Sequence, residues 1–423
     1  MSERTVDMSW FVAARFGLFI HWGLYALPAR HEWVKSRERL SDEDYRRYFD
    51  HFDPDLYDPH EWARSARRAG MRYAVLTTKH HDGFCLWDSQ LTDYKVTNTP
   101  HGRDVVAAYV DAFRSEGLRV GFYHSLIDWH HPQFTIDHFH PQRDDRRSRD
   151  EHRNMTEYAD YLHGQVRELL TGYGKIDYLF FDFTYHHTEP ERKGPEDWRS
   201  EELLKLVRAL QPDVLVNDRL GVPGDFVTPE QYQPSAPLTR AGVPIAWEAC
   251  QTLTGSWGYD RDNLDYKPPD MLVRMLVDGV SKDGNMLLNV GPNGRGAFGP
   301  RAEAILAAIG EWMELHGRSV YGCTASTHRP PPDCRYTQRG DRLYLHLFAW
   351  PFGQVHLPGL AGRVRYAQLL HDASEIPTEV IASDVEPSMV HAGGQGPGVL
   401  TIELPVRRPD VLVPVVELFL AGP

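Results

Sequence analysis

Asp182 sits near the exit of the run Ile176-Asp177-Tyr178-Leu179-Phe180-Phe181-Asp182-Phe183, in which six of eight residues are apolar. An ionised carboxylate is costly to bury, so an aspartate ending an apolar run needs a partner, a pocket or a task. By default such a residue is a helix N-cap or a turn aspartate. Here several apolar runs end in the same manner. Phe16-Gly-Leu-Phe-Ile leads into His21 and Trp22, and Tyr73-Ala-Val-Leu-Thr-Thr-Lys79 leads into His80 and His81. Arg119-Val-Gly-Phe carries Tyr123 and His124, Pro212-Asp-Val-Leu-Val carries Arg219 just beyond its end, and Glu230 lies in the loop that follows. Two chemistries suit this set. One is a metal site with His21, His81, His124 and Asp182 as ligands. Against it, adjacent His80 and His81 point to opposite faces of a regular strand, and no HExxH spacing is present. The other is glycoside hydrolysis by a carboxylate pair, in which one carboxylate attacks the anomeric carbon and its partner protonates the leaving oxygen. A sugar offers hydroxyls to His, Glu, Arg and the Trp N–H, and an apolar face to aromatic rings.

The elements that must hold these groups together alternate between strand and helix. Ser41-Asp-Glu-Asp44 has the spacing of a capping box and opens a helix. Helical patterns also cover residues 59–70, 104–117, 150–170, 201–210, 268–280 and 300–315. At least seven strand–helix units in about 320 residues predict an α/β fold of the (β/α)8-like, TIM-type barrel class. In such a barrel the strand C-termini share one mouth, where the polar strand ends would converge. No GxGxxG follows the first strand, which weakens a dinucleotide-binding alternative. From about Ser326 the texture changes to short strands between Gly/Pro turns, predicting a small C-terminal β-sandwich. The expected division is a catalytic barrel over 1–323 and the sandwich over 324–423, joined by a stiff linker around Pro330-Pro-Pro332.

Composition narrows the partners. The formal charge is −13 with no long basic run, arguing against nucleic acid or an anionic membrane. The first residues lack an apolar signal region and no stretch reaches transmembrane length, so a cytoplasmic location is expected. Cys85, Cys250, Cys323 and Cys334 form no CxxC pattern, so neither a zinc ribbon nor a disulfide framework is expected.

Read in order, Phe19-Ile-His21-Trp22-Gly23, Glu32-Trp33, Lys79-His80-His81-Asp82-Gly83-Phe84, Gly121-Phe-Tyr123, Phe181-Asp182, Asn217-Asp218-Arg219, Trp247-Glu248 and Ser256-Trp257-Gly258-Tyr259 form a specific set. Through nearly all of residues 8–300 this set resembles the α-L-fucosidases of glycoside hydrolase family 29. The resemblance implies a retaining, exo-acting enzyme that cleaves terminal α-L-fucosyl linkages through a covalent fucosyl-enzyme, with no metal and no cofactor. It places the nucleophile at Asp182 and the fucose-binding residues at His21, Glu32, Trp33, His80, His81, Tyr123, Arg219 and Trp257. For the acid/base it favours Glu230, in Gly224-Asp-Phe-Val-Thr-Pro-Glu230, 48 residues after Asp182. Glu248 is the alternative, or else a structural carboxylate at the base of a strand paired with an arginine. Many relatives carry Trp two residues before the nucleophile, where this chain has Phe180. The implied partner is a fucosylated oligosaccharide or glycoconjugate, and a homo-oligomer is compatible with the sequence.

Overall fold

In the computed structural model, which describes residues 6–145, 150–185, 193–389 and 393–422, the apolar runs of the first three-quarters of the chain pair into one parallel sheet. Its strands are β1 (Phe16–Ile20), β2 (Tyr73–Lys79), β3 (Arg119–Ser125), β4 (Tyr178–Asp182) and β5 (Leu215–Val216). After a small exposed hairpin, β6 (Thr239–Arg240) with β7 (Val243–Pro244), come β8 (Trp247–Thr252) and β9 (Gly284–Val290). The sheet order is β5-β4-β3-β2-β1-β9-β8. Every residue of β1, β2 and β9 is buried, as expected where helices cover one side of a sheet and a barrel interior the other.

Residues 226–230 bring the two outer strands together. Parallel bridges join Asn217 to Phe226, Val227 to Trp247 and Glu230 to Cys250, so a stretch that reads as a loop occupies the place of a further strand. Toward β8 it is well bonded, with Glu248 N–H on Val227 O (2.9 Å), Cys250 N–H on Pro229 O (3.0 Å) and Gln231 N–H on Cys250 O (3.0 Å). Toward β5 there is one backbone bond among the described residues, from Asp225 N–H to Val216 O (2.8 Å). Gly224 permits that approach, since a Cβ there would lie 2.2 Å from Asn217 O. The barrel therefore has a seam between β5 and this segment. At the end away from the mouth the interior is plugged by Phe11, whose ring packs on Tyr73, Tyr178 and Phe226.

The surrounding helices begin where their caps dictate. Ser41 accepts from Asp44 N–H (3.0 Å) at the start of Asp42–Asp50, and Asp104 accepts from Ala107 N–H (2.8 Å) at the start of Val105–Ser115. The helix expected from residue 150 begins later, at Met155–Gly172, because Asn154 supplies the cap by accepting from Thr156 N–H. No helix among the described residues is long and apolar enough to cross a membrane.

The C-terminal part holds β10 (Cys334–Arg339), β11 (Arg342–Leu347), β12 (Gln354–Pro358), β13 (Val364–Leu369), β14 (Thr378–Glu379), β15 (Val399–Glu403) and β16 (Val415–Leu420). Two antiparallel sheets, β10-β11-β16-β13 and β12-β15-β14, enclose one apolar cluster that includes Leu345, Leu357, Ile402 and Leu418. The cluster is separate from the barrel core, but Trp312 Nε1–H donates to Val413 O (2.8 Å) and Arg318 pairs with Glu417 (2.8 Å) across the junction. We propose a division at 323/324, where Thr324 is bridged to Gln338 of β10.

Candidate active site

At the C-terminal ends of the strands opens a cavity of about 650 Å³. Its walls bring together His21, Glu32, Trp33, His80, His81, Tyr123, Asp182, Arg219, Glu230 and Trp257, along with Phe180. Asp182, the last residue of β4, accepts from the Tyr123 hydroxyl (2.8 Å) at Oδ2 and from Arg219 Nη1 (2.9 Å) at Oδ1. The same Nη1 also donates to Glu230 Oε2 (2.6 Å). Two oxygens bonded to one nitrogen can lie no farther apart than about 5.5 Å, short of the wider spacing, about 6.5–9.5 Å, that inverting glycosidases use. The side chain of Asp182 is 15% exposed and that of Glu230 42%. Asp182 therefore sits on the cavity floor and Glu230 at its lip. Arg219 is held by Thr228, which receives its Nε–H (2.9 Å) and is itself fixed by Asp218 (2.9 Å). Its guanidinium lies 4.9 Å from the Phe180 ring, a cation–π contact.

His80 and His81 both face the cavity, with ring centroids 4.0 Å apart. The alternation expected of adjacent strand residues does not reach them. Strand β2 ends at Lys79, and its pairing with β3 shifts register between Thr77 and Lys79. Lys79 is buried the other way, with its ammonium on Asp128 (3.2 Å) and Gln165 (2.9 Å). Burial pushes His21 down to about 3 and drives His80 and His81 well below the usual imidazole range, so all three rings are neutral near pH 7. Glu32 accepts at Oε2 from the backbone N–H groups of Trp257 (3.1 Å) and Gly258 (2.9 Å), and burial pushes its carboxyl up to about 7.

Two groups considered from the sequence lie elsewhere. His124 is on the opposite face of β3 from Tyr123, with its Nδ1 3.1 Å from Thr78 Oγ1 and its ring against Trp87, so the ligand set His21, His81, His124 and Asp182 does not assemble. Among the described residues no group of three or more His, Cys, Asp or Glu is placed to hold a metal ion. Glu248 lies inside the barrel at the end away from the mouth. It accepts from the hydroxyls of Tyr73 and Tyr178, the first residues of β2 and β4, rather than pairing with an arginine.

Burial raises the Glu248 carboxyl from 4.5 to about 7. The folded protein keeps a proton there that the unfolded chain has already released, so this residue's contribution to stability declines as pH rises from about 4.5 to about 7 and is level above that. Glu248→Gln removes the titration. Its stability relative to wild type, from urea unfolding, is expected to improve by about 3 kcal/mol between pH 4.5 and pH 8, with turnover near the wild-type value.

Several lining residues were not among the site residues expected from the sequence, among them Phe19, His31, Phe139, Phe183 and Gln231. Three of these adopt positive φ, each beside a cavity carboxylate: His31 (84°) next to Glu32, Phe183 (86°) next to Asp182 and Gln231 (58°) next to Glu230. Such backbone is costly for residues other than glycine. At Phe183 it turns the ring onto Trp33, His81 and Phe139. Glycine or asparagine at these positions would have been a visible marker.

Residues 2–318 match the family model described as Alpha-L-fucosidase. The rat (Rattus norvegicus) tissue alpha-L-fucosidase is 30% identical over 376 residues, covering 81% of this chain and 76% of the rat protein. Among solved structures, alpha-L-fucosidase isoenzyme 1 from Paenibacillus thiaminolyticus superposes with a TM-score of 0.91 at 48% identity, covering 98% of this chain and 99% of that one. A GH29 alpha-L-fucosidase from Bacteroides thetaiotaomicron has a TM-score of 0.83 at 28% identity, covering 98% and 96% of the two chains. It was captured as a covalent intermediate with 2-fluoro-fucosyl fluoride in a Glu-to-Gln mutant.

Proposed function

The chain belongs to the α-L-fucosidase family, glycoside hydrolase family 29, and from that premise we propose that Asp182 is its nucleophile and Glu230 its acid/base. The reaction is retaining hydrolysis of terminal α-L-fucosyl linkages. The observation that carries the assignment is the pair of carboxylates sharing Arg219 Nη1 at the cavity floor and lip.

Fucose sits in the mouth with its C5 methyl against Trp257 and Phe180 and its hydroxyls on His21, Glu32, Trp33, His80 and His81. Tyr123 and Arg219 orient Asp182 and stabilise its charge. Asp182 attacks C1 as the bond from C1 to the leaving oxygen breaks, and Glu230 gives that oxygen its proton. Once Asp182 is esterified it no longer draws on Arg219 as an anion, and the ionised Glu230 becomes that arginine's remaining carboxylate partner. Glu230 then takes a proton from water, which attacks C1 and releases Asp182. The Bacteroides relative, held as a covalent intermediate in a Glu-to-Gln mutant, supports a glutamate in the second role. The substrate would be the non-reducing end of a fucosylated oligosaccharide or glycoconjugate.

The test is hydrolysis of p-nitrophenyl α-L-fucoside followed by proton NMR, with and without EDTA. The first fucose released is expected to be the α anomer, at a rate that EDTA does not change. β-Fucose appearing first, or loss of turnover on chelation with recovery on added zinc, would overturn the reading.

A further inference from the structure

Asn289 lies on β9, beside β1, and touches two residues of the cavity wall. Its Nδ2 is 2.7 Å from the Trp257 carbonyl oxygen, and its Oδ1 is 2.7 Å from His21 Nδ1. A carbonyl oxygen only accepts, so the amide nitrogen must face Trp257 and the amide oxygen must face His21. That oxygen also only accepts, so the proton of the His21 ring is on Nδ1. Ser125, next to Asp182 across the β3–β4 ladder, imposes the same choice by a different route. Its hydroxyl has one hydrogen, which goes to Ile127 O (2.7 Å). Toward His81 Nδ1, also 2.7 Å away, Ser125 can therefore only accept.

We propose that Asn289 and Ser125 are positioning residues that fix His21 and His81 as Nδ1–H tautomers, so that both present a bare, hydrogen-bond-accepting Nε2 to the sugar. The identity of that sugar rests on the fucosidase reading given above. A neutral imidazole has one proton, and both rings are neutral because they are buried. The spacing at the nucleophile agrees. A protonated His81 Nε2 would be drawn into a hydrogen bond with Asp182, yet it stays 4.0 Å from Oδ2. His80 has no such tether, for its Nδ1 is buried without a partner among the described residues, and it can serve in either sense. The consequence is selective. A hydroxyl can donate to both fixed histidines, whereas an acylated or methylated oxygen at either position has no hydrogen to give and is refused.

The measurement is long-range proton–nitrogen NMR on protein labelled with 15N-histidine, with the His21 and His81 signals identified by their loss in His21→Asn and His81→Asn. In the wild type the bare nitrogen of both rings is expected to be Nε2. In Ser125→Ala the His81 ring is expected to populate the Nε2–H form, with kcat/KM lower by about tenfold, the worth of one hydrogen bond. A bare Nδ1 or an imidazolium at either ring in the wild type would overturn the proposal, as would an unchanged His81 tautomer in folded Ser125→Ala. The spectra are read without turnover. Wrong tautomers in an enzyme that cleaves α-L-fucosides thus refute this proposal alone, and expected tautomers in a protein inert toward them refute the functional reading instead.

Discussion

Alanine in place of Asp182 is expected to lower kcat on p-nitrophenyl α-L-fucoside by on the order of 10⁴-fold or more. In the proposed mechanism this carboxylate is the group that bonds to C1, and nothing else on the cavity floor can replace it. Tyr123 can only donate there, and Arg219 is a cation already bonded to Glu230. The fold should survive, because Arg219 keeps Glu230 and Thr228 as partners, and the melting transition will report whether it does. Azide is small enough to enter the space left by the side chain. Attacking from the vacated side, it inverts C1 and should yield β-L-fucosyl azide. Wild-type turnover in a folded Asp182→Ala protein would remove Asp182 from the mechanism.

The second large effect belongs to Glu230. Its removal in Glu230→Ala should cost roughly 10²–10⁴-fold with natural aglycones, whose leaving oxygen needs a proton. The loss should be smaller with p-nitrophenyl α-L-fucoside, whose leaving group departs as the anion. With that activated substrate the ester forms and its hydrolysis becomes limiting, and azide in the space of the lost carboxylate should restore turnover. Because azide then attacks the ester from the side where water would, the product should be α-L-fucosyl azide, the opposite anomer from that given by Asp182→Ala. No rescue in Glu230→Ala, with rescue in Glu248→Ala, would move the acid/base role to Glu248. The geometry opposes that outcome, since Glu248 is fully buried beneath the mouth and both its oxygens are taken by tyrosine hydroxyls.

The strand ends were legible because a polar group closing an apolar run is a conflict visible in one dimension. His21, Asp182 and Arg219 announced themselves in this way, and the parallel barrel followed from the alternation of strands and helices. What stayed hidden depends on neighbours across the sheet. Residues 226–230, with a proline and two polar side chains, lack the pattern of a strand and earn that place only by bonding to β8. The shared orientation of His80 and His81 follows from a register shift that no local pattern reveals. Asn289 was the nearest miss. A single amide one residue before the end of an apolar strand is the same conflict that drew attention to Asp182, but its partners, His21 and Trp257, are 268 and 32 residues away in sequence.

The seam of the barrel runs between the two carboxylates. Asp182 belongs to the side built on β4 and β5, Glu230 to the side built on β8, and a single backbone bond among the described residues links β5 to the segment that carries Glu230. Most of what crosses there is side chain: Arg219 to Thr228 and Glu230, Asp218 to Thr228, and Asp225 to Val216 N–H. The gap between the proposed nucleophile and acid is thus bridged mainly by a clasp of side chains rather than by the ladder of the sheet. In the proposed mechanism Glu230 must first protonate a departing oxygen and then, with a different molecule in that place, deprotonate water, and it is mounted across this seam from Asp182. The spacing of the pair can accordingly be altered by editing the clasp, with no strand redesigned.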